Sequence, residues 1–392
     1  MPQNWSVKSV LQTLRQSFYI LGYAVARLIE RPVPGRVLFL SDSHSQLVGN
    51  QLALAQELTR RGYDVRSVLK NGLRARRSFP TMVALCRLMA TSPVIIVDDF
   101  YPMIYQIKLR KGTQLLQVWH ASGAFKTMGF SRVGKPGGPI KGSKTHKNYT
   151  AAIVSSPSIR TNYAEAFSLP LEHIHATGIP RTDVFFDQEL VSHTAQQIRA
   201  ELDIPEGKKL LVFAPTFRGN GQLTAYYDYS LIDWQDLAEH IGTEYIIGIK
   251  PHPFVSGLPE LTQTDSRLRD LSGIADTNAL LMAADLLVTD YSSIIFDFAL
   301  LHRPTIFFCP DLEEYVAARD FYYPYEKYTF GPLARTHKEL VDAITHAAKP
   351  DGTANEFLDF FCASCDGNAT ARVIDQLIAP YAGEPAPRAK QS

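Results

Sequence analysis

Residues 36–69 read RVLFLSDSHSQLVGNQLALAQELTRRGYDVRSVL. Val37–Ser41 is an apolar run without alternation, the pattern of a strand buried on both faces. A Ser- and Asp-rich loop follows. Asn50–Arg61 then shows helical spacing, and Gly62 closes it. Asp64–Leu69 reads as a second strand. Strand, helix and strand in so short a span predict a parallel βαβ unit.

The same rhythm continues along the chain. Pro93–Asp98, Thr113–Trp119, Ala151–Ser155 and Ile174–Gly178 complete a first set of strands. Residues 185–207 are polar and helical and end in the turn Pro205-Glu206-Gly207. A second set follows at Lys209–Ala214, Tyr245–Ile249, Leu286–Thr289 and Thr305–Cys309. At 392 residues the chain exceeds what one hydrophobic core usually serves. The expectation is α/β: two doubly wound Rossmann-like domains facing a cleft, with ligands at the carboxyl ends of the strands. Their bounds are set at 37–195 and 196–378, with a Pro- and Ala-rich disordered tail at 379–392.

Residues 1–36 stand apart. Val7, Val10 or Leu11, Leu14, Phe18, Leu21, Val25 and Leu28 recur at helical steps. Five basic residues oppose Glu30, a net charge of +4. The longest apolar stretch, Phe18–Ala26, is too short to span a bilayer. This basic amphipathic helix suits an anionic membrane surface; the alternative is that it docks on the first domain. No signal-peptide cleavage site follows it.

Net charge is +1, so the total implies no nucleic-acid partner. The distribution is uneven: from Phe100 to Tyr163 there is no Asp or Glu, but ten Lys and Arg. Such a run concentrates anionic ligands or meets anionic lipid; otherwise it is a solvated basic loop. Of four cysteines, Cys362 and Cys365 form a C-x-x-C without a second ligand pair; free thiols in a reducing compartment are expected, with a zinc or redox role as the alternative.

Polar residues gather where strands end. His120 lies in Trp119-His120-Ala121-Ser122-Gly123-Ala124-Phe125-Lys126. An imidazole there can take a proton from an alcohol, and Lys126 can meet a phosphate. Lys250-Pro251-His252-Pro253 presents a second His and a Lys on a proline-stiffened loop. In Thr289-Asp290-Tyr291-Ser292-Ser293, a strand ends and a Ser caps the next helix, whose free N–H groups suit a diphosphate. Asp297 could accept ribose hydroxyls. Arg181 and Arg218 offer planar forks for phosphate oxygens, with Thr216 beside the second. Gly49 and Asn50 open a helix that tolerates an anion. Each motif alone also fits a plain turn or a capped helix. The chain has no Walker loop, no G-x-G-x-x-G after the first strand and no carboxylate cluster for a metal, which argues against a kinase, a dehydrogenase and a two-metal phosphatase.

Taken in order, these words resemble the CDP-glycerol:poly(glycerophosphate) glycerophosphotransferases of teichoic acid synthesis. The matching words are Gln117-Val118-Trp119-His120, Gly123-Ala124-Phe125-Lys126, Gly178-Ile179-Pro180-Arg181-Thr182-Asp183, Ala214-Pro215-Thr216-Phe217-Arg218, Lys250-Pro251-His252-Pro253 and Thr289-Asp290-Tyr291-Ser292-Ser293, with Asp99-Phe100-Tyr101-Pro102 and Arg319-Asp320-Phe321-Tyr322. The resemblance implies a GT-B fold, CDP-glycerol as donor, CMP as product and no cofactor. It implies His120 and His252 as the catalytic pair, with Ser292 and Ser293 on the diphosphate. Other substrate contacts are expected at Gly49, Asn50, Lys126, Arg181, Thr216, Arg218, Lys250, Thr289 and Asp297. The short chain and the Gly-Ala-Phe-Lys wording resemble the primase branch, which adds the first glycerol phosphate to an undecaprenyl-diphosphate-linked disaccharide. Ala121-Ser122 stands where polymerases commonly carry Gly-Thr. Expected partners are that acceptor, the cytoplasmic face of the membrane, and other teichoic acid enzymes or a second copy. The alternatives are a CDP-ribitol or chain-extending enzyme, and a nucleotide-sugar hexosyltransferase.

Overall fold

The central strands form where the sequence is mostly apolar, while two edge strands, Asp64–Val68 and Leu268–Asp270, carry charged residues. The computed structural model describes residues 7–70, 77–219, 221–255, 258, 265–347 and 352–385, with backbone alone at 7–13 and 222. In chain order it begins with α1 (Val7–Ile29), β1 (Arg36–Leu40), α2 (Gly49–Arg60), β2 (Asp64–Val68), α3 (Phe79–Thr91), β3 (Val94–Val97), β4 (Gln114–Gln117), β5 (Ala151–Ile153), α4 (Arg160–Phe167) and β6 (Ile174–His175). The six strands pair in parallel in the order β2-β1-β3-β4-β5-β6.

Next come α5 (Gln188–Glu201), β7 (Lys209–Ala214), α6 (Trp234–His240), β8 (Tyr245–Ile249), β9 (Leu268–Asp270), α7 (Thr277–Ala283), β10 (Leu286–Thr289), α8 (Ile294–Ala299), β11 (Thr305–Phe308), α9 (Leu312–Arg319), β12 (Leu333–Ala334), α10 (His337–Thr345) and α11 (Gly352–Phe361). These strands make a second parallel sheet, β12-β11-β10-β7-β8-β9. In each sheet the central strands are buried along their length, as both-face coverage by helices requires.

The chain divides into two compact units, residues 1–183 with 364–392, and residues 184–363. The sequence reading cut at 195/196, which falls inside α5; that helix is unbroken and packs on α7 of the second unit. The reading also gave 364–378 to the second domain. Instead α12 (Ala369–Val373), a π-helical turn at Ile374–Ile378 and α13 (Ala379–Ala382) return to the first unit. Val373, Ile374, Leu377, Ile378 and Ala382 share one apolar core with Val37, Phe39, Leu54, Val94, Ile96, Leu116 and Val118. The expected tail is therefore helical and packed at 379–382, and residues 386–392 lie outside those described.

Asp183 anchors this return, accepting from Ala369 N at 2.9 Å and from Thr370 N at 2.7 Å at the start of α12. Gly178 makes room for it: at φ +81° it has no Cβ, which would stand 2.2 Å from the Ser364 carbonyl oxygen.

Helix α1 docks on α3, burying Tyr19, Tyr23 and Ala26. Tyr23 Oη accepts from Arg110 N at 3.0 Å, and Arg110 Nη2 donates to the carbonyls of Arg27 and Glu30. Leu14, Ile20, Leu21, Val25, Leu28 and Ile29 remain exposed, Leu28 at 82%. Among the described residues no helix is long and apolar enough to cross a membrane.

Candidate active site

In each sheet the strand order reverses once: between β1 and β3 in the first unit, and between β7 and β10 in the second. At such a switch point the loops leave in opposite directions and open a crevice beyond the carboxyl ends. The sequence motifs sit at or beside these two points.

In the first unit, β4 leads into Trp119, which takes φ +49°. A bulky residue pays for that left-handed backbone, so its surroundings must hold it. Gln117 Oε1 accepts from Trp119 N at 2.8 Å, and Asn50 Nδ2 donates to the carbonyls of Val118 and Trp119 at 3.0 and 2.8 Å. Asn50 Oδ1 also accepts from Arg181 N at 3.0 Å. Asn50 is 3% exposed, so its side chain is a clamp joining three loops. Gly49 beside it is exposed, with φ +51°.

His120 follows the turn. Its ring packs against Trp119, centroids 4.3 Å apart, and its side chain is 50% exposed. Nδ1 lies 3.3 Å from the Asp98 carbonyl oxygen. A carbonyl only accepts, so Nδ1 carries the proton and the neutral ring leaves Nε2 as a base. Asp99 stands 4.0 Å from Nδ1. Ser43 Oγ and Phe100 N donate to its carboxylate at 2.8 and 2.6 Å. Arg181 Nη2 reaches Ser122 Oγ at 3.3 Å, and Lys126 is half-buried in the same loop.

In the second unit, His252 Nδ1 accepts from Phe254 N at 3.2 Å. The neutral ring then carries its proton on Nε2, the opposite tautomer from His120. Phe217 and Phe254 flank the ring at 4.7 and 4.9 Å. Lys250 Nζ donates to the carbonyls of Leu271 and Ile274; burial pushes its ammonium below the usual lysine range. Ser292 and Ser293 are half-buried at the start of α8. Ser292 Oγ accepts from Ile294 N at 3.4 Å, while Ser293, the residue before the helix, makes no capping bond.

Four predicted contacts turn inward. Thr289 Oγ1 donates to the Ala214 carbonyl at 2.6 Å, and Thr216 N donates to Asp290 Oδ1 at 2.7 Å. Asp297 is buried in α8. Arg218 grips Asp311 through Nε and Nη2 at 2.6 and 2.9 Å, and its Nη1 reaches Asp290 Oδ2 at 3.0 Å and the Thr216 carbonyl at 2.6 Å. Burial opposes its charge, but the two carboxylates outweigh that and raise its pKa. The sequence reading missed Asp99, Asp290 and Asp311 as partners of these motifs.

None of the four cysteines is in a disulfide, and all are buried. Among the described residues no three His, Cys, Asp or Glu side chains gather to hold a metal ion.

Two Rossmann-like domains with polar strand ends define a GT-B-like protein. The wall teichoic acid polymerase TagF shares this fold, with a TM-score of 0.75 at 20% identity over 95% of this chain and 97% of that one. A TagF structure soaked with CDPG gives 0.76 at 21% identity over 95% and 98%. The sequence profile of the CDP-Glycerol:Poly(glycerophosphate) glycerophosphotransferase family matches residues 24–379, and the chain belongs to that family. It is 40% identical to a teichoic acid poly(ribitol-phosphate) polymerase of Bacillus spizizenii, over 96% of this chain and 61% of the relative. It is 37% identical to that organism's teichoic acid ribitol-phosphate primase, over 73% and 75%. The chain thus spans about six tenths of the first of these relatives.

Proposed function

We propose that the chain transfers a polyol phosphate from a CDP-activated donor to a hydroxyl of a lipid-linked teichoic acid acceptor and releases CMP. The observation that carries this reading is the setting of the two motif histidines, each in a strand-end loop of its own unit: His120 Nδ1 faces the Asp98 carbonyl, leaving Nε2 as a base, and His252 Nδ1 accepts from Phe254 N, leaving Nε2 to donate. The acceptor hydroxyl gives its proton to His120 as its oxygen bonds the phosphorus bearing the polyol. The bond from that phosphorus to the bridging oxygen breaks, and its electron pair leaves with CMP. His252 donates to the charge that develops on the phosphoryl group or on CMP.

The sequence motifs favour CDP-glycerol and a primase role on an undecaprenyl-diphosphate disaccharide. The relatives support CDP-ribitol as a second reading. Those described as ribitol-phosphate enzymes are 37–40% identical, and those described as glycerol-phosphate enzymes 26–32%. The basic, outward-apolar α1 supports peripheral attachment at the cytoplasmic face of the membrane.

The test is to incubate the chain with CDP-glycerol or CDP-ribitol and with lipid-disaccharide acceptors that are bare or already carry glycerol phosphate. Mass analysis then reads the products. CMP release with one or more polyol phosphates added supports the reading, and the preferred pair names donor and acceptor. Release of a nucleoside diphosphate would instead favour hexosyl transfer.

A further inference from the structure

We infer that Asp99 is a positioning residue that holds the protonated form of His120 during transfer, with Ser43 aiming its carboxylate. This rests on the reading of His120 as the base. The strand order carries the argument. Because β3 lies between β1 and β4, three chain segments far apart in sequence converge at the carboxyl end of the sheet. β3 ends in Asp98 and Asp99, the loop after β1 brings Ser43, and the turn after β4 brings His120.

The two adjacent aspartates divide the work. The Asp98 backbone carbonyl accepts from His120 Nδ1 and sets the tautomer. Its carboxyl is buried, and burial pushes its pKa up. Asp99 is part-exposed, and Ser43 Oγ and Phe100 N donate to its carboxylate. Its Oδ1 stands 4.0 Å from His120 Nδ1. When the acceptor proton arrives on Nε2, the ring becomes a cation with that carboxylate beside it. The tautomer is already fixed by the carbonyl, so Asp99 contributes electrostatics.

Other titratable groups border the pair. His44, Asp99 and His120 all act electrostatically on the Asp98 carboxyl. His146, Tyr105 and Tyr149 feel the charge of Asp99. Buried His146 stays neutral near pH 7, its pKa held down at about 4, so Asp99 is not already paired with it.

The experiment compares the full chain with its Asp99→Asn, Asp99→Glu, Ser43→Ala and His120→Ala variants. It reads kcat/KM against pH and the NMR titration midpoint of the His120 ring. In Asp99→Asn, kcat falls about tenfold with the donor KM within about twofold. The acidic limb and the His120 midpoint both move down by about one pH unit, because the cation has lost its counter-charge. Asp99→Glu restores most of the rate, and Ser43→Ala shifts both readouts the same way by less. An unmoved midpoint and limb in Asp99→Asn and Ser43→Ala, with His120→Ala inactive, overturn this inference alone. Full activity in His120→Ala overturns the base reading beneath it.

Discussion

His146 is a buried imidazole ringed by Phe100, Tyr105, Phe130, Tyr149 and Phe167, with centroids 5.1–5.9 Å away. Burial outweighs the pull of the Asp99 charge and lowers its pKa to about 4. The unfolded chain takes up this proton below about pH 6.5, and the folded one only near pH 4. The stabilising contribution is therefore present above pH 6.5 and is lost as pH falls to about 4. The full shift corresponds to about 3 kcal/mol. Urea unfolding across this window should show a steep slope in the wild type and a flatter one in His146→Asn; the half-buried His175, also lowered by burial, leaves a residue of slope. Arg218 makes a second prediction. Its guanidinium is engaged by Asp290, Asp311 and a carbonyl, and Asp290 is 1% exposed. Arg218→Ala strands that carboxylate and should destabilise the second unit by about 3–5 kcal/mol, read by denaturant unfolding. Arg218→Lys recovers only part, since an ammonium cannot grip two oxygens in a fork. A large loss of donor affinity at unchanged stability would place Arg218 on the phosphates instead.

At the scale of elements, α1 has two apolar faces with different fates. One packs on α3, and the other presents Leu21, Val25 and Leu28. Lys108 and Lys111 are exposed in the loop that ties down its C-terminal end through Arg110 and through Arg27 donating to the Lys108 carbonyl. Leu21→Asp with Leu28→Asp should weaken binding to anionic vesicles about tenfold or more in co-sedimentation and leave the fold intact. Equal binding by wild type and variant would rule this face out. The strands were readable because a parallel strand covered on both faces leaves an unbroken apolar run. β9 and β12 escaped because little apolar sequence marks them: β9 is Leu268-Arg269-Asp270, and β12 is Leu333-Ala334 set between Pro332 and Arg335. The loops of His120 and His252 were readable through their Gly and Pro punctuation. Asp99 and Asp311 were not, because what makes them neighbours of His120 and Arg218 is the lateral order of strands, which local pattern does not encode. Asn50 and Thr289 stand at the helix and strand ends where ligands bind, yet their polar side-chain atoms bind backbone groups. Residue type and position alone do not separate these two uses.

The whole molecule is built from one continuous unit and one discontinuous unit. Residues 364–382 cross back to close the core beneath β1, β3 and β4, and Gly35 N donates to the Ala382 carbonyl at 2.6 Å. A chain stopped after Ala363 should keep the second unit and lose the first. Hydrogen exchange is the measurement: protection should vanish in β1, β3 and β4 and persist in β7, β8 and β10. Retained protection in both would show that the returning helices are dispensable. The same connectivity sets a timetable for the nascent chain. The middle of the molecule is made with all its own parts and can fold as it leaves the ribosome. The first unit, although synthesised earlier, waits for its last helices roughly 10–40 s at ordinary elongation rates, with an incomplete apolar surface. Birth order and folding order are thus reversed, and of the two units the one more exposed to chaperones and to misassociation is the one translated earlier.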